Sequence, residues 1–342
     1  MLKAQANPLP IKPRVCVTRR LPDISEQRLL DLFHTSLGHE DDRAMTEAEL
    51  IEMVQNCDVL VPTLTDKITA DVINAASDDL RLIANFGAGW DHIDVAAAHK
   101  KGITVTNTPG VLTEDTADLT MALILAVPRR LVEGDRLARA GNFYGWAPTA
   151  LLGHRVRGKK LGIVGMGRIG QAVARRANAF GLSVHYHNRR QLPAPIEQAL
   201  SATYYADLDK MLSEVDIISL NCPSTPSTHH MINAERLAKM ASDSYIVNTG
   251  RGDVIDEGAL AKALASGQIG GAGLDVFEQE PKIHPDLMSL PNVILAPHIG
   301  SATHESRREM GEKVLINIRA MIDSHACPDR VLPPDSNMSI AS

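Results

Sequence analysis

Three polar residues in the second half of the chain have side chains suited to acid–base and anion chemistry: Arg251, Glu280 and His298. Each lies at or just beyond the end of an apolar segment typical of a buried strand, where parallel α/β proteins place functional groups. A histidine can exchange a proton near neutral pH, a neighbouring carboxylate can fix its tautomer, and an arginine can hold a carboxylate through two hydrogen bonds. These residues could supply an acid, an orienting group and an anion clamp, although each is equally compatible with a structural role.

A glycine pattern precedes these residues in the segment LGIVGMGRIG, residues 161–170. Gly165, Gly167 and Gly170 form G-x-G-x-x-G between an apolar strand and a helix, and the strand Ser183–His187 completes a β-α-β unit. The first glycine permits a tight turn, the second lets a pyrophosphate approach the backbone, and the third lets the helix pack closely. This context favours a dinucleotide site over a glycine-rich turn of another α/β protein.

The end of the second strand indicates which dinucleotide binds. An NAD site usually has Asp or Glu there to accept hydrogen bonds from the ribose 2′-OH. This chain has Asn188, Arg189 and Arg190, so a repelling carboxylate is missing and two guanidinium groups could bind a 2′-phosphate. NADP(H) is therefore favoured, with NAD(H) possible if the arginines are only solvated beside an unselective pocket.

The elements that position these residues form two α/β domains. Strands alternate with helices from Arg14 to Thr106, without a dinucleotide fingerprint, which predicts a flavodoxin-like parallel domain. Further strands from residue 161 to Leu295 form the nucleotide domain, and the long helix predicted at Ser306–Ile322 returns to the first domain. We therefore predict a Rossmann-type domain at residues 113–297, inserted in a substrate domain built from residues 1–112 and 298–342.

Two loops could serve binding. The segment Phe86–Asp91 (FGAGWD) follows a strand, and its backbone N–H groups could face a small anion, although a plain turn fits equally well. The irregular segment Gly141–Gly153 contains Trp146 and could contact a partner subunit or pack in the ordinary way.

Composition limits the possible partners. The chain has 342 residues, a formal net charge of −6 and no long basic run, which argues against nucleic acid and anionic membranes. No apolar run is long enough to cross a bilayer, and the first residues lack a secretory signal. The four cysteines form no C-x-x-C pair and no Cys/His group has metal-ligand spacing, so we expect free thiols in the cytoplasm and no metal.

The segments LGIVGMGRIG, VNTGRGDVIDEGAL, GAGLDVFEQEP and LAPHIGSAT occur in an order and at a spacing that resemble the D-isomer-specific 2-hydroxyacid dehydrogenase family. The weaker segments NFGAGWDHID and TNTPGVLTEDTADL extend the resemblance to nearly the whole chain apart from its tails. The resemblance implies that His298 is the acid/base, Glu280 its partner, and Arg251 the group that binds the carboxylate and keto oxygen. It also implies that the N–H groups of Ala88 and Gly89 hold the substrate carboxylate.

In the same resemblance Arg168 and Ile169 meet the pyrophosphate, and Asp275 holds the nicotinamide amide with Thr249 near it. Together with the glycine pattern, this defines the candidate cofactor contacts: Thr116, Gly165, Gly167, Arg168, Ile169, Gly170, Asn188, Arg189, Arg190, Cys222, Thr228, Thr249, Gly250, Asp275 and Gly300.

Within the family, the glyoxylate/hydroxypyruvate reductase branch looks most similar, and its NADPH-using members also lack the acidic residue at the position of Asn188. The expected activity is reduction of small 2-oxo acids to D-2-hydroxy acids, with D-3-phosphoglycerate or another D-2-hydroxy acid as the alternative substrate. A cofactor-sensing corepressor scaffold is the non-enzymatic alternative. The resemblance further implies a homodimer joined through the nucleotide domains, with the Trp146 loop resembling one that can reach a neighbour's active site.

Overall fold

The computed structural model describes residues 9–333. The chain divides into two compact units, one built from Met1–Leu112 and Thr303–Ser342, the other from Thr113–Ala302. The tails that the family resemblance does not cover lie mainly outside the described residues. Among residues 9–333, no helix combines the length and apolar character needed to cross a bilayer.

The second boundary lies five residues beyond the predicted one, at 302/303 rather than 297/298. Residues 298–300 stay with the second unit because their backbone is bound to Asp275. The N–H of His298 donates to the Asp275 carbonyl at 2.9 Å, and those of Ile299 and Gly300 donate to its carboxylate at 2.7 and 2.8 Å.

The strands, numbered in chain order, are β1 Arg14–Val17, β2 His34–Ser36, β3 Val59–Val61, β4 Leu82–Ala84, β5 Thr104–Thr106, β6 Lys160–Val164, β7 Ser183–His187, β8 Ala202–Tyr204, β9 Ile217–Leu220, β10 Tyr245–Asn248, β11 Gly271–Leu274, β12 Val293–Leu295 and β13 Arg330–Val331.

The helices are α1 Asp23–Leu32, α2 Glu47–Gln55, α3 Ala70–Ala75, α4 Val95–Lys100, α5 Thr113–Ala126, α6 Leu131–Arg139, α7 Arg168–Ala179, α8 Ala194–Leu200, α9 Leu208–Glu214, α10 Ala234–Leu237, α11 Glu257–Ala265, α12 Pro285–Ser289 and α13 His304–Ile322. A 3₁₀ turn occupies Gly252–Val254.

The first unit has a flavodoxin-like sheet. Its strand order is β13-β5-β4-β3-β1-β2, in which all neighbours are parallel except the β13–β5 pair. Read from the other edge, the parallel strands follow the order 2-1-3-4-5 of the flavodoxin-like fold. Both faces are buried, since Val15 and Val17 of β1 point into one apolar core and Cys16 into another.

Helix α13 belongs to the first unit because its apolar stripe completes one of those cores. Met310, Val314 and Ile318 pack there with Leu29 of α1. The burial of this apolar stripe explains why the chain returns to its first domain, as the sequence predicts.

The second unit has a Rossmann-type sheet of order β12-β11-β10-β9-β6-β7-β8, and every pair in it is parallel. Numbered within the unit, this is the 3-2-1-4-5-6 order with a seventh strand added at the edge. Strand β6 is buried from Leu161 to Val164, as a central parallel strand should be. The predicted fold class, a nucleotide domain inserted in a flavodoxin-like domain, is confirmed.

Candidate active site

The turn between β6 and α7 has the geometry of a dinucleotide cradle. Gly165 has a φ of +95°, and a Cβ there would lie 2.6 Å from the backbone nitrogen of Cys222. At Gly170 a Cβ would lie 2.3 Å from the Gly165 carbonyl oxygen, whereas at Gly167 it would meet nothing within 4 Å. The first and third glycines thus allow close packing, and the second leaves open space where a pyrophosphate could approach the backbone.

Helix α7 starts beside this open space, with Gly167 at its N-cap and no side chain capping it. The first turn of a helix leaves backbone N–H groups without intrahelical acceptors and carries the positive end of the helix dipole. Arg168 and Ile169, the first two helical residues, can therefore offer N–H groups to a phosphate. This part of the chain fits the pyrophosphate of a dinucleotide.

The position that distinguishes NAD from NADP sites lies at the end of β7. The Asn188 side-chain oxygen accepts a hydrogen bond from the Met166 N–H at 2.8 Å, so it braces the glycine turn. Its carbonyl accepts from the Tyr204 hydroxyl at 3.1 Å. Arg189 and Arg190 follow as exposed side chains.

The ends of β9 and β10 bring several other candidate contacts together. At Gly250 a Cβ would lie 3.1 Å from the Cys222 carbonyl oxygen, so the two backbones pass closely. The Thr249 hydroxyl lies 2.7 Å from that of Thr120, which donates to the Thr116 carbonyl at 2.7 Å. Thr116 and Thr249 are thus tied to one hydrogen-bonded chain at these strand ends.

Two further candidates have structural roles of their own. Burial raises the pKa of the Cys222 thiol to about 11, so this thiol stays neutral. The Thr228 hydroxyl donates to the Pro223 carbonyl at 2.8 Å and accepts from the Thr225 N–H at 2.8 Å, which closes the turn after β9. The predicted contacts of Cys222 and Thr228 with a cofactor stay predictions.

His298 and Glu280 form a direct pair, with Nδ1 of the imidazole 2.8 Å from Oε2 of the carboxylate. Within residues 9–333, Nε2 of His298 has no protein partner. The other carboxylate oxygen accepts from the Phe277 N–H at 3.0 Å. A carboxylate accepts only, so a neutral imidazole here carries its proton on Nδ1 and presents Nε2 for proton exchange.

The Glu280 carboxyl is held in its charged form. Partial burial alone would raise its pKa, but the hydrogen bond and the charge of His298, the Phe277 N–H and the charge of Arg251 together hold that pKa below its usual range. Glu280 is therefore ionised at neutral pH and can stabilise a protonated imidazole.

Arg251 is brought to this pair by the residue that follows it. At Gly252 a Cβ would lie 1.9 Å from the carbonyl carbon of Phe277, so only glycine lets the two backbone segments touch. The Arg251 side chain donates to the Gly250 carbonyl at 2.8 Å, and its own carbonyl accepts from the Asn248 side chain at 2.9 Å. The close approach places a guanidinium charge near Glu280.

Asp275 fixes the turn that carries His298, a role the sequence did not reveal. Its carboxylate accepts from both Ile299 and Gly300, and His298 itself has a φ of +54°, which is uncommon for a residue with a side chain. Burial raises the pKa of the Asp275 carboxyl, while the two N–H donors oppose that shift. The predicted contacts of Asp275 and Gly300 with a cofactor stay predictions.

The candidate anion loop of the first unit is organised by two asparagines. Asn85 Nδ2 donates to the carbonyls of Gly87 and Gly89 at 2.9 and 2.8 Å, and Asn107 Nδ2 donates to that of Ala88 at 2.7 Å. Among residues 9–333, the N–H groups of Ala88 and Gly89 have no protein acceptor. Three consecutive carbonyls are thus occupied while two N–H groups remain available for an anion.

Sequence reasoning missed Asn85, Asn107 and Gly252. Asn85 directly follows β4 and Asn107 directly follows β5, so a polar residue at the carboxyl end of a buried strand was the available signal. Gly252 had no comparable signal, because its role depends on a contact with a segment 25 residues away in the sequence.

The strand order of the second unit, its glycine turn and the His298–Glu280 pair at its strand ends are those expected of a nicotinamide-dependent dehydrogenase. Residues 121–300 match the family model described as D-isomer specific 2-hydroxyacid dehydrogenase, NAD binding domain. Over 326 residues the chain is 48% identical to a glyoxylate reductase of Korarchaeum cryptofilum, covering 94% of this chain and 96% of the relative. A glyoxylate reductase of Thermococcus litoralis is 44% identical over 325 residues, with 94% and 97% covered. The chain belongs to the D-isomer specific 2-hydroxyacid dehydrogenase family.

A solved structure agrees with this assignment. The NADPH-dependent glyoxylate/hydroxypyruvate reductase of Sinorhizobium meliloti, in complex with NADP and malonate, is 35% identical and superposes with a TM-score of 0.83, covering 94% of this chain and 97% of that one. The prediction of an NAD(P)-dependent 2-hydroxyacid dehydrogenase is confirmed, and both sequence relatives are named glyoxylate reductases.

Proposed function

We propose that this enzyme reduces small 2-oxo acids, glyoxylate and hydroxypyruvate among them, to D-2-hydroxy acids, with NADPH favoured over NADH. The observation that carries the proposal is the 2.8 Å contact between His298 and Glu280, with the Arg251 guanidinium held close by the Gly252 backbone contact. An imidazole braced by a carboxylate next to a guanidinium suits proton delivery to the oxygen of a substrate that carries its own carboxylate.

In this proposal the residues of the glycine turn and the first turn of α7 hold the pyrophosphate. When bound, the reduced nicotinamide supplies a hydride to the substrate carbonyl carbon. Arg251 binds the carboxylate and keto oxygen of the acid and so orients its carbonyl. His298 delivers the proton from Nε2 to the developing alkoxide, and Glu280 stabilises the imidazolium before that transfer.

The N–H groups of Ala88 and Gly89 are proposed to bind the substrate carboxylate. Their support is the amide network described above, which occupies the carbonyls of this loop and leaves both donors available. Backbone donors of this kind suit a small anion because they carry no bulk and need no reorganisation on binding.

The preference for NADPH is proposed from the residues after β7. Asn188 lacks the negative charge that would repel a 2′-phosphate, and Arg189 and Arg190 are exposed beside it. Replacing both arginines by alanine should raise KM for NADPH by about tenfold or more and leave KM for NADH nearly unchanged, since charge-assisted hydrogen bonds contribute about 1.5–3 kcal/mol each. The exposed Arg155→Ala variant is the matched control. A loss of equal size for both cofactors would refute the proposed preference.

The decisive experiment for the activity compares glyoxylate, hydroxypyruvate, pyruvate and 3-phosphohydroxypyruvate with NADPH and with NADH, in the unaltered enzyme and in His298→Gln. We expect the two small acids to give the highest kcat/KM, and the variant to lose about 10²–10⁴-fold in kcat while it retains NADPH affinity. Turnover highest on the phosphorylated acid would refute the substrate class. Near-normal kcat in the variant would remove His298 from proton transfer.

We also propose a homodimer that forms through the second unit. Its support is a set of exposed apolar residues on and after α6, in which Tyr144 is 90% and Trp146 is 86% exposed. A cavity of about 310 Å³ lined by Leu131, Leu152 and Tyr245 lies in the same region.

A cytoplasmic location stays a prediction that rests on four free, buried thiols.

A further inference from the structure

Two imidazoles and a carboxylate lie close together where the turn after β9 meets the segment before Glu280. None of these three residues has a role in the proposed reaction or in cofactor binding. His230 Nε2 lies 2.9 Å from Glu278 Oε1, and the ring of His229 stacks on that of His230 with centroids 4.0 Å apart. One ligand atom from each of the three residues lies within 4.8 Å of the other two. We propose that this cluster, His229–His230–Glu278, binds one divalent cation of the zinc class.

The backbone of each ligand is held in place independently of any cation. The His229 N–H donates to the Thr225 carbonyl at 3.0 Å, and the His230 N–H donates to the Asp253 carbonyl at 2.8 Å. Glu278 N–H donates to the buried Glu257 carboxylate at 2.7 Å. Binding a cation therefore requires rotation of side chains and little backbone ordering, which lowers its entropic cost.

The donor set selects the kind of cation. Two imidazole nitrogens and one carboxylate oxygen suit Zn²⁺, Co²⁺ or Ni²⁺, whereas Mg²⁺ and Ca²⁺ require ligand sets built from oxygen. In a tetrahedral zinc site, bonds of about 2.0–2.1 Å place neighbouring ligand atoms about 3.3 Å apart. The 2.9 Å contact needs to open by only a few tenths of an ångström, and water can complete the coordination.

Binding there would strengthen the link between two loops that already meet through the His230–Glu278 contact. His229 and His230 follow the turn closed by Thr228, and Glu278 lies two residues before Glu280. Partly exposed ligands, with side-chain exposures of 33% for His230 and 27% for Glu278, leave a route for the cation to enter. A bound cation should therefore stabilise the folded second unit.

The test uses the full chain, stripped with a chelator and titrated with Co²⁺, whose visible absorption reports the ligands directly. We expect bands that saturate at one equivalent, lack the strong sulfur charge-transfer absorption of cysteine ligation, and are displaced by Zn²⁺. Zn²⁺ at about 100 times its Kd should raise Tm by about 5 °C or more, while Mg²⁺ at millimolar concentration should leave it unchanged.

His229→Ala removes an exposed ligand without disturbing a buried contact, and Glu278→Gln removes the carboxylate charge. Each should weaken Co²⁺ binding by about tenfold or more, as expected when a ligand is lost. His325→Ala removes an exposed imidazole of the first unit and should bind Co²⁺ as the unaltered protein does. Absence of a saturable band in the unaltered protein, or an identical titration for His229→Ala, would overturn the site and identify the cluster as a simple His–Glu hydrogen bond.

Discussion

At the scale of single residues, the charge of Glu280 is its main contribution to the His298 pair. The carboxylate has a lowered pKa in the folded chain, so it keeps its charge to a lower pH than an ordinary glutamate does. The charge stabilises the folded chain fully at a pH above the pKa that Glu280 has in the unfolded chain. This stabilisation is lost as the pH falls through the lower pKa that Glu280 has in the folded chain. If the enzyme loses activity as the pH falls from 6 to 5, protonation of Glu280 should therefore not be the cause.

Glu280→Gln preserves the shape of the side chain and removes its charge. Because a neutral amide stabilises an imidazolium poorly, we expect the basic limb of the pH profile for reduction to move to lower pH, with kcat at pH 7.5 reduced by about tenfold or more. Steady-state kinetics from pH 5 to 9 measure both effects. The exposed Glu235→Gln variant is the control, and an unshifted basic limb in Glu280→Gln would contradict this role.

Asn85 is a positioning residue whose effect should appear in substrate binding. Asn85→Ala removes two hydrogen bonds to the carbonyls of Gly87 and Gly89, each contributing about 0.5–1.5 kcal/mol, so KM for the 2-oxo acid should rise by about tenfold with a smaller change in kcat. Asn85→Asp adds a negative charge beside the proposed anion site and should raise KM further. Asn74→Ala, at an exposed position, is the matched control. Equal KM values for the alanine and aspartate variants would show that Asn85 supports the structure of the loop without affecting the binding of an anion there.

At the scale of elements, the carboxyl ends of β10 and β11 are joined by backbone contact rather than by side chains. Gly252 lets the segment after β10 touch the segment after β11, and Asp275 holds the turn that follows β12. These contacts position Arg251, Glu280 and His298 on three separate segments, so the alignment of the site depends on elements that are far apart in sequence.

Gly252→Ala tests this alignment. A Cβ 1.9 Å from the Phe277 carbonyl carbon forces the two backbones apart, and we expect kcat/KM to fall by about 10²-fold or more and Tm to drop by several degrees. Gly258→Ala, six residues later in α11, meets only ordinary contacts at 3.5 and 3.8 Å and should be neutral or slightly stabilising, since alanine favours a helix by about 1 kcal/mol. Near-normal kinetics in Gly252→Ala would show that the two segments can separate without affecting the site.

At the scale of the whole molecule, the apolar strands were the most predictable feature. The predicted range Ser183–His187 matches β7 residue for residue, and the last predicted strand of the nucleotide domain ends at Leu295, as β12 does. Strands such as β6 and β12 are predictable because buried parallel strands are continuous apolar runs. The short edge strands β2 and β13 were not predicted. Their residues are largely polar and partly exposed, so no apolar run marks them.

The candidate site was predictable in its residues but not in its geometry. His298, Glu280 and Arg251 each lie beyond a predicted strand, which is a local signal. The bond between His298 and Glu280, the close approach of Gly252 to Phe277 and the contact between His230 and Glu278 join residues 18 to 48 positions apart, and no spacing rule relates them. Such contacts follow from strand order, which emerges only when the sheet is assembled.

The exposed aromatic segment after α6 predicts the state of association. Phe143, Tyr144 and Trp146 are 67%, 90% and 86% exposed, which is unusual for large apolar side chains unless another surface covers them. Light scattering coupled to size exclusion should give twice the 37.0 kDa mass of one chain, and Trp146→Ser combined with Phe143→Ser should shift the protein toward the monomer. Ile11→Ser, at an exposed apolar position of the first unit, should leave the mass unchanged. If the unaltered protein is a monomer at micromolar concentration, the proposed dimer is wrong. The activity proposed for the His298 site does not depend on that result, because its own kinetics test it.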